Sequence, residues 1–168
     1  MFSNKNVLYY ALSLLSVTAL FAGLRFAYGI FGGTLISLFS MTQNSIFEII
    51  KIFFWPVMVW MISDRFFFRF GSFEKHTLYL CISLFFVFTA LNLYAGITGA
   101  LSIAINLFIC LAGFLLFFIL SYLFDSKIQI VSIVGSVISI CVCIVFITLF
   151  CSLSLSNPGT GIFAPISH

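Results

Sequence analysis

Leu101–Phe124 reads LSIAINLFICLAGFLLFFILSYLF and holds no charged side chain from end to end. At a helical rise of about 1.5 Å per residue, about 20 mostly apolar residues cross the hydrocarbon core of a bilayer. This stretch is long enough to do so alone. Working outward, four more segments meet the same criterion: Val7–Leu24, Ile46–Ile62, Thr77–Tyr94 and Ile128–Leu155. None alternates apolar with polar residues, and all are too long for barrel strands. The expected fold is all-α, a polytopic membrane helix bundle of about five transmembrane helices in one domain, residues 1–168.

Composition agrees. Charged residues make up 7% of the chain and apolar ones 63%, with a mean hydropathy of +1.29. A soluble domain carries about 25% charged residues, so this surface must face lipid rather than water. The net charge of +3 is scattered, without the basic patch that phosphate backbones require, which excludes a nucleic-acid partner. Cys81, Cys110, Cys141, Cys143 and Cys151 all sit in apolar runs with no histidine nearby. They read as small hydrophobes, so no metal and no cofactor is expected. The first segment reads as an uncleaved helix, because the positive region before it is weak and its apolar run is long.

Lysine and arginine in short loops set orientation. Lys5, Arg65, Arg69, Lys75 and Lys127 fall on one side, against Arg25 and Lys51 on the other. The N-terminus is therefore expected in the cytoplasm and the C-terminus outside. In the loop RFFFRFGSFEK, Arg65–Lys75, rings and cations suit the headgroup layer.

Small residues at spacings of three and four mark helix contact faces. They are Ser16, Ala19 and Gly23; Ser102, Asn106, Cys110 and Gly113; and Ser132, Gly135, Ser136 and Ser139. Asn92 and Asn106 flank an expected tight turn, Ala95–Ala100, at similar depth. An amide in hydrocarbon must find a partner, so these two either bond to each other or line a small polar cavity.

The most distinctive stretch is SMTQNSIFEIIKIFFWP, Ser40–Pro56. Ser45 and Glu48 have the spacing of a capping box. Glu48 and Lys51 share a helix face and can pair. Pro56 should kink the helix and free a carbonyl near Ile52. The same residues make a candidate polar site at the outer face, since intramembrane charges are functional candidates. A carboxylate and an ammonium on one helix suit a zwitterion, a headgroup or a partner's charged tail. No histidine or second carboxylate accompanies them, so no catalytic residue is assigned.

This stretch resembles the signature of an uncharacterised family of small multi-pass membrane proteins of bacteria, mostly Gram-positive, classed as a domain of unknown function. The family pattern is roughly S-P-V-N-E-S-x-W-E-H-L-K-L-x-F-x-P. Ser40, Ser45, Glu48, Lys51, Phe54 and Pro56 match it in register. Met41, Gln43, Asn44, Phe47 and Ile49 replace its Pro, Asn, Glu, Trp and His. Tyr94–Gly99 is similar to its Y-T-G-I-x-G turn, and Asn157–Phe163 to its D-P-x-T-G-x-Y tail. The resemblance implies a helix bundle in the bacterial plasma membrane and no established activity. Acid–base or metal chemistry at the replaced positions would be lost in this chain.

Three function classes follow. One is a non-catalytic accessory or small-ligand-binding module whose partners are membrane lipid and a membrane protein or further copies of itself. The second is a subunit of a transporter or channel, with Asn92, Asn106, Glu48 and Lys51 lining a path. The third is an intramembrane enzyme acting on lipid or peptide. The three family-like pieces all fall on the expected outer face. Cysteines introduced at Gln43, Thr98 and Thr160 should thus label with an impermeant maleimide in intact cells. Labelling of any one only after permeabilisation would break the grouping.

Overall fold

A computed structural model of the chain describes residues 4–42, 45–68, 72–99, 102–124 and 133–156. Gln43, Asn44, Arg69, Lys127 and the family-like tail at residues 157–163 lie outside these. The described residues form six helices: α1 (Asn4–Phe31), α2 (Thr34–Phe39), α3 (Ile46–Ser63), α4 (Phe73–Thr98), α5 (Ile103–Phe124) and α6 (Ile133–Ser156). A π-helical turn, Asp64–Phe68, extends α3. There is no strand among the described residues. Five of the helices are long and apolar enough to span a membrane. The expected all-α membrane bundle is therefore the fold.

Three boundaries differ from expectation. The first helix does not stop at Leu24 but runs to Phe31, because nothing in that polar-poor stretch breaks it before Gly32 and Gly33, both at positive φ. The short α2 then folds back before α3; it is too brief to register as an apolar span. The expected turn does not begin at Ala95. The α4 helix continues to Thr98, and Gly99 at φ 69° closes it by donating its N–H to Ala95 O at 2.8 Å.

The five long helices alternate in direction. One end of the bundle therefore gathers the C-termini of α1, α4 and α6 with α2 and the N-termini of α3 and α5. It is called the Lys51 end below, and the opposite one the Asp64 end. The centre is α3. Of its most apolar window 72% is buried, against 17% for α1 and for α6. A helix apolar on every side can only be satisfied in the middle. Its faces are read by aromatic rings. Phe53 stacks on Phe114 of α5 at 4.5 Å, and Phe21 of α1 meets the same ring edge-on at 5.5 Å. Phe54 packs against Phe150 of α6 at 5.0 Å, and Trp60 against Phe118 of α5 at 5.0 Å. Such ring pairs contribute about 0.5–1.5 kcal/mol each beyond the area they bury. The outer surface is apolar in turn, with Leu35, Ile97 and Phe108 each more than 70% exposed.

Small residues serve as contact faces on α5 and α6 but not on α1. Asn106, Cys110 and Gly113 are buried and Ser102 half-buried; on α6 Ser139 is buried, Gly135 and Ser136 are half-buried, and Ser132 lies outside the described residues. On α1 the buried stripe is Ser13, Val17 and Phe21, while Ser16, Ala19 and Gly23 face outward. The large Phe21 reaches the core because Phe114 offers it a ring edge, which small-residue spacing cannot reveal.

Gly113 marks the closest approach of three helices. A Cβ there would collide with Val87 Cγ2 of α4 and lie 2.9 Å from Phe53 Cε2 of α3. Neither neighbour is the free end of a flexible chain. Gly113→Ala should cost about 1–3 kcal/mol through overpacking, read as an earlier midpoint in SDS-induced unfolding. Gly96→Ala, where nothing lies within 4 Å of a Cβ, should leave the midpoint in place.

Candidate functional site

Ser45 precedes α3 in an extended conformation, and its Oγ accepts the N–H of Glu48 at 3.3 Å. That is half of the expected capping box. The reciprocal half is replaced, since Glu48 turns its carboxylate elsewhere. Oε2 accepts a hydrogen bond from the N–H of Thr42 at 2.8 Å, and Oε1 accepts one from Lys51 Nζ at 2.8 Å. The backbone before α3 is thus tied to the helix one turn in, rather than at its first residue.

Lys51 is fully buried and Glu48 is 4% exposed. An ammonium has three N–H donors. Besides Glu48, Lys51 Nζ donates to Ser37 O of α2 at 2.8 Å and to Ser154 Oγ of α6 at 3.0 Å. Ser154 Oγ in turn donates to Ser37 O at 3.0 Å. Trp55 Nε1 donates to Leu38 O at 3.2 Å and its ring meets Phe39 at 4.7 Å, pinning α2 a second time. The expected ion pair is present, but Lys51 does not snorkel outward. It reaches sideways, because α2 brings open carbonyls to it.

Pro56 lies inside α3, which continues unbroken to Ser63; its ring is buried and cannot donate to the carbonyl of Ile52. The two asparagines do not pair. Asn92 donates its amide to Phe88 O of its own helix at 2.7 Å. Asn106 is fully buried, and neither its Oδ1 nor its Nδ2 has a hydrogen-bond partner among the described residues. The register of α4 against α5 explains this. Val87 faces Gly113, and α4 turns Asn92 toward the outside at the depth where Asn106 faces in.

The Asp64 end holds a second buried polar cluster that the sequence reading passed over. Asp64 is 1% exposed and His76 1%. Tyr9 OH of α1 donates to Asp64 Oδ1, and His76 Nδ1 of α4 lies 3.9 Å from Asp64 Oδ2. Ser13, one turn from Tyr9, is buried on the same face of α1. The Trp60 ring lies 5.1 Å from His76. Tyr9 and Ser13 also line a groove of about 340 Å³ between α1 and α3. These residues are far apart in the chain, so no local spacing announces them. The usable signal was Asp64 itself, a carboxylate abutting an apolar run. Lys75, expected at the lipid headgroups, is buried at 8% exposure within the first turn of α4. On the same turn Glu74 accepts from Ser136 of α6.

No group of three His, Cys, Asp or Glu side chains among the described residues is placed to hold a metal ion. No known protein family, curated protein or solved structure matches the chain.

A double-mutant cycle separates a structural pair from a ligand site. Lys51→Met leaves the Glu48 carboxylate buried without its cation and should cost about 3 kcal/mol or more. Glu48→Gln with Lys51→Met removes both charges and keeps an acceptor for Thr42. It should return to within about 1 kcal/mol of the parent in SDS unfolding. A double variant as unstable as the single one would show that the two charges do not act as a unit.

Proposed function

We propose that the chain is a non-catalytic membrane module, an accessory subunit or small-ligand-binding protein whose Lys51 end is a rigid cap. One observation carries this reading. All three donors of Lys51 and both oxygens of Glu48 are engaged by the chain itself. Charges so engaged hold structure together; they leave no acid or base poised for a substrate. The resemblance of Ser40–Pro56 to the bacterial family supports a plasma-membrane bundle, and the distribution of lysine and arginine supports a cap facing outward. A transport path lined by Asn92 and Asn106 draws no support from an Asn92 amide bonded to its own helix.

Native mass spectrometry of the protein extracted in mild detergent from its own membrane tests the reading. A partner at fixed stoichiometry, or a retained small molecule, is the expected result. Recovery of a bare chain, with neither partner nor retained small molecule, would overturn it.

A further inference from the structure

Most of α3 is buried, but Val59 and Ile62 are each 45% exposed. Val59 forms part of the groove between α1 and α3, whose volume is about 340 Å³. From Tyr9 to Leu20 the groove follows α1 for about 16 Å of helical rise. One leaflet of the hydrocarbon core is about 15 Å deep, so the groove is one leaflet long. Its inner part is apolar, with Val17, Leu20 and Val59. Its polar groups gather toward the Asp64 end, at Tyr9, Ser13, Trp60 and Ser63.

Most of the hydroxyls here are committed. Tyr9 OH donates to Asp64, Ser16 Oγ to Ser13 O at 2.9 Å and Ser63 Oγ to Val59 O at 2.8 Å. Trp60 differs. It walls the groove, is 7% exposed, and its Nε1–H has no acceptor among the described residues. Nor is that nitrogen sealed inside the bundle, as the polar atoms of Asn106 and Ser40 are. The ring cannot turn away, because Phe117 and Phe118 hold it edge-on at 5.5 and 5.0 Å. Ser13, 6% exposed, adds a hydroxyl on the opposite wall. An N–H turned toward hydrocarbon without an acceptor is costly, and the Asp64 carboxylate behind Tyr9 disfavours an anion. The chemistry that fits is an uncharged acceptor at the head of an apolar chain. A glycerolipid has this form, with an ester carbonyl at the top of each acyl chain, at the depth where tryptophan and tyrosine rings settle.

We propose that the α1–α3 groove binds one acyl chain of an ester-linked glycerolipid, whose ester carbonyl accepts from Trp60 Nε1 while the chain runs inward past Val59 to Leu20. The site is separate from the Lys51 clasp and does not rest on the accessory-module reading. A free fatty acid would bring the same chain but a carboxylate head.

The full chain is reconstituted in vesicles of phosphatidylcholine with a trace of ester phosphatidylcholine carrying a diazirine on its acyl chain. Two hosts are compared, one ether-linked and one ester-linked, with the same chains. After illumination, label is located by peptide mass spectrometry. Label at Val59 should fall about fivefold from the ether host to the ester host, the scale of one hydrogen bond to a carbonyl. Label at Leu15, 68% exposed on the outer side of α1, should not change. Trp60→Phe keeps the ring and removes the donor, and should cancel the host difference. Ser16→Phe, which fills the groove from an exposed position, should remove the Val59 label, and Leu15→Phe should leave it; this pair decides the matter if Trp60→Phe does not fold. Equal Val59 label in the two hosts would overturn the proposal. So would label that survives Ser16→Phe, a host difference that survives Trp60→Phe, or displacement from the ether host by free oleate, which would give the groove to a fatty acid.

Discussion

An ammonium group taken fully out of water needs an acceptor for each of its three protons. At Lys51 the three come from α3 itself, from α2 and from α6. Together with the bond from Ser154 to Ser37, this set ties three stretches far apart in the chain. The requirement explains features that are otherwise arbitrary. The short α2 turns back toward the bundle and leaves its last carbonyls open toward α3, which lets Ser37 and Leu38 accept from Lys51 and Trp55. Glu48 gives up its place in a capping box because the buried cation next to it needs a counter-charge more than the helix start needs a second cap. The residual amide, Thr42 N–H, is satisfied by the oxygen left over.

The central helix links this end to the other. Between Lys51 and Asp64 its surface is almost wholly aromatic and aliphatic, and most of it is buried, with Val59 and Ile62 facing outward. Polar groups appear at each end of it, held by different neighbours: α2 and α6 at Lys51, α1 and α4 at Asp64. The helices α1, α2 and α6 are thereby fastened to α3 or its continuation by a hydrogen bond as well as by packing, and α4 by the approach of His76 to Asp64. Lipid supplies no hydrophobic force between helices. Directional bonds at the two ends, with close ring contacts between them, are what distinguishes one arrangement of apolar rods from another.

Much of this was legible before any coordinates. The five spans could be read from run length alone, because a bilayer forces the backbone to satisfy itself within each helix. The Glu48–Lys51 pair followed from a spacing of three residues on one helix. What spacing could not supply were partners from other helices. Ser37 and Ser154 look like any other serine in an apolar chain, and α2 is too short to register as a span. Tyr9, Asp64 and His76 meet only once three helices have docked. The contact face of α1 was misread because a bulky Phe21 fits where a neighbouring ring is edge-on, and small size was the wrong sign to look for. Sequence therefore indicated the rods and their ends, while the choice of neighbours depended on shape.

The bond from Lys51 to Ser154 spans 103 residues. During synthesis α3 leaves the ribosome well before its last partner exists. At about 5–20 residues per second, that interval is about 5–20 s. Through it, the most deeply buried helix of the mature bundle carries a cation whose final acceptor has not yet been made. Until α6 is made, Lys51 has Glu48 and Ser37 as acceptors and lacks the third, so the last proton of the buried cation is satisfied only by a serine hydroxyl near the end of α6.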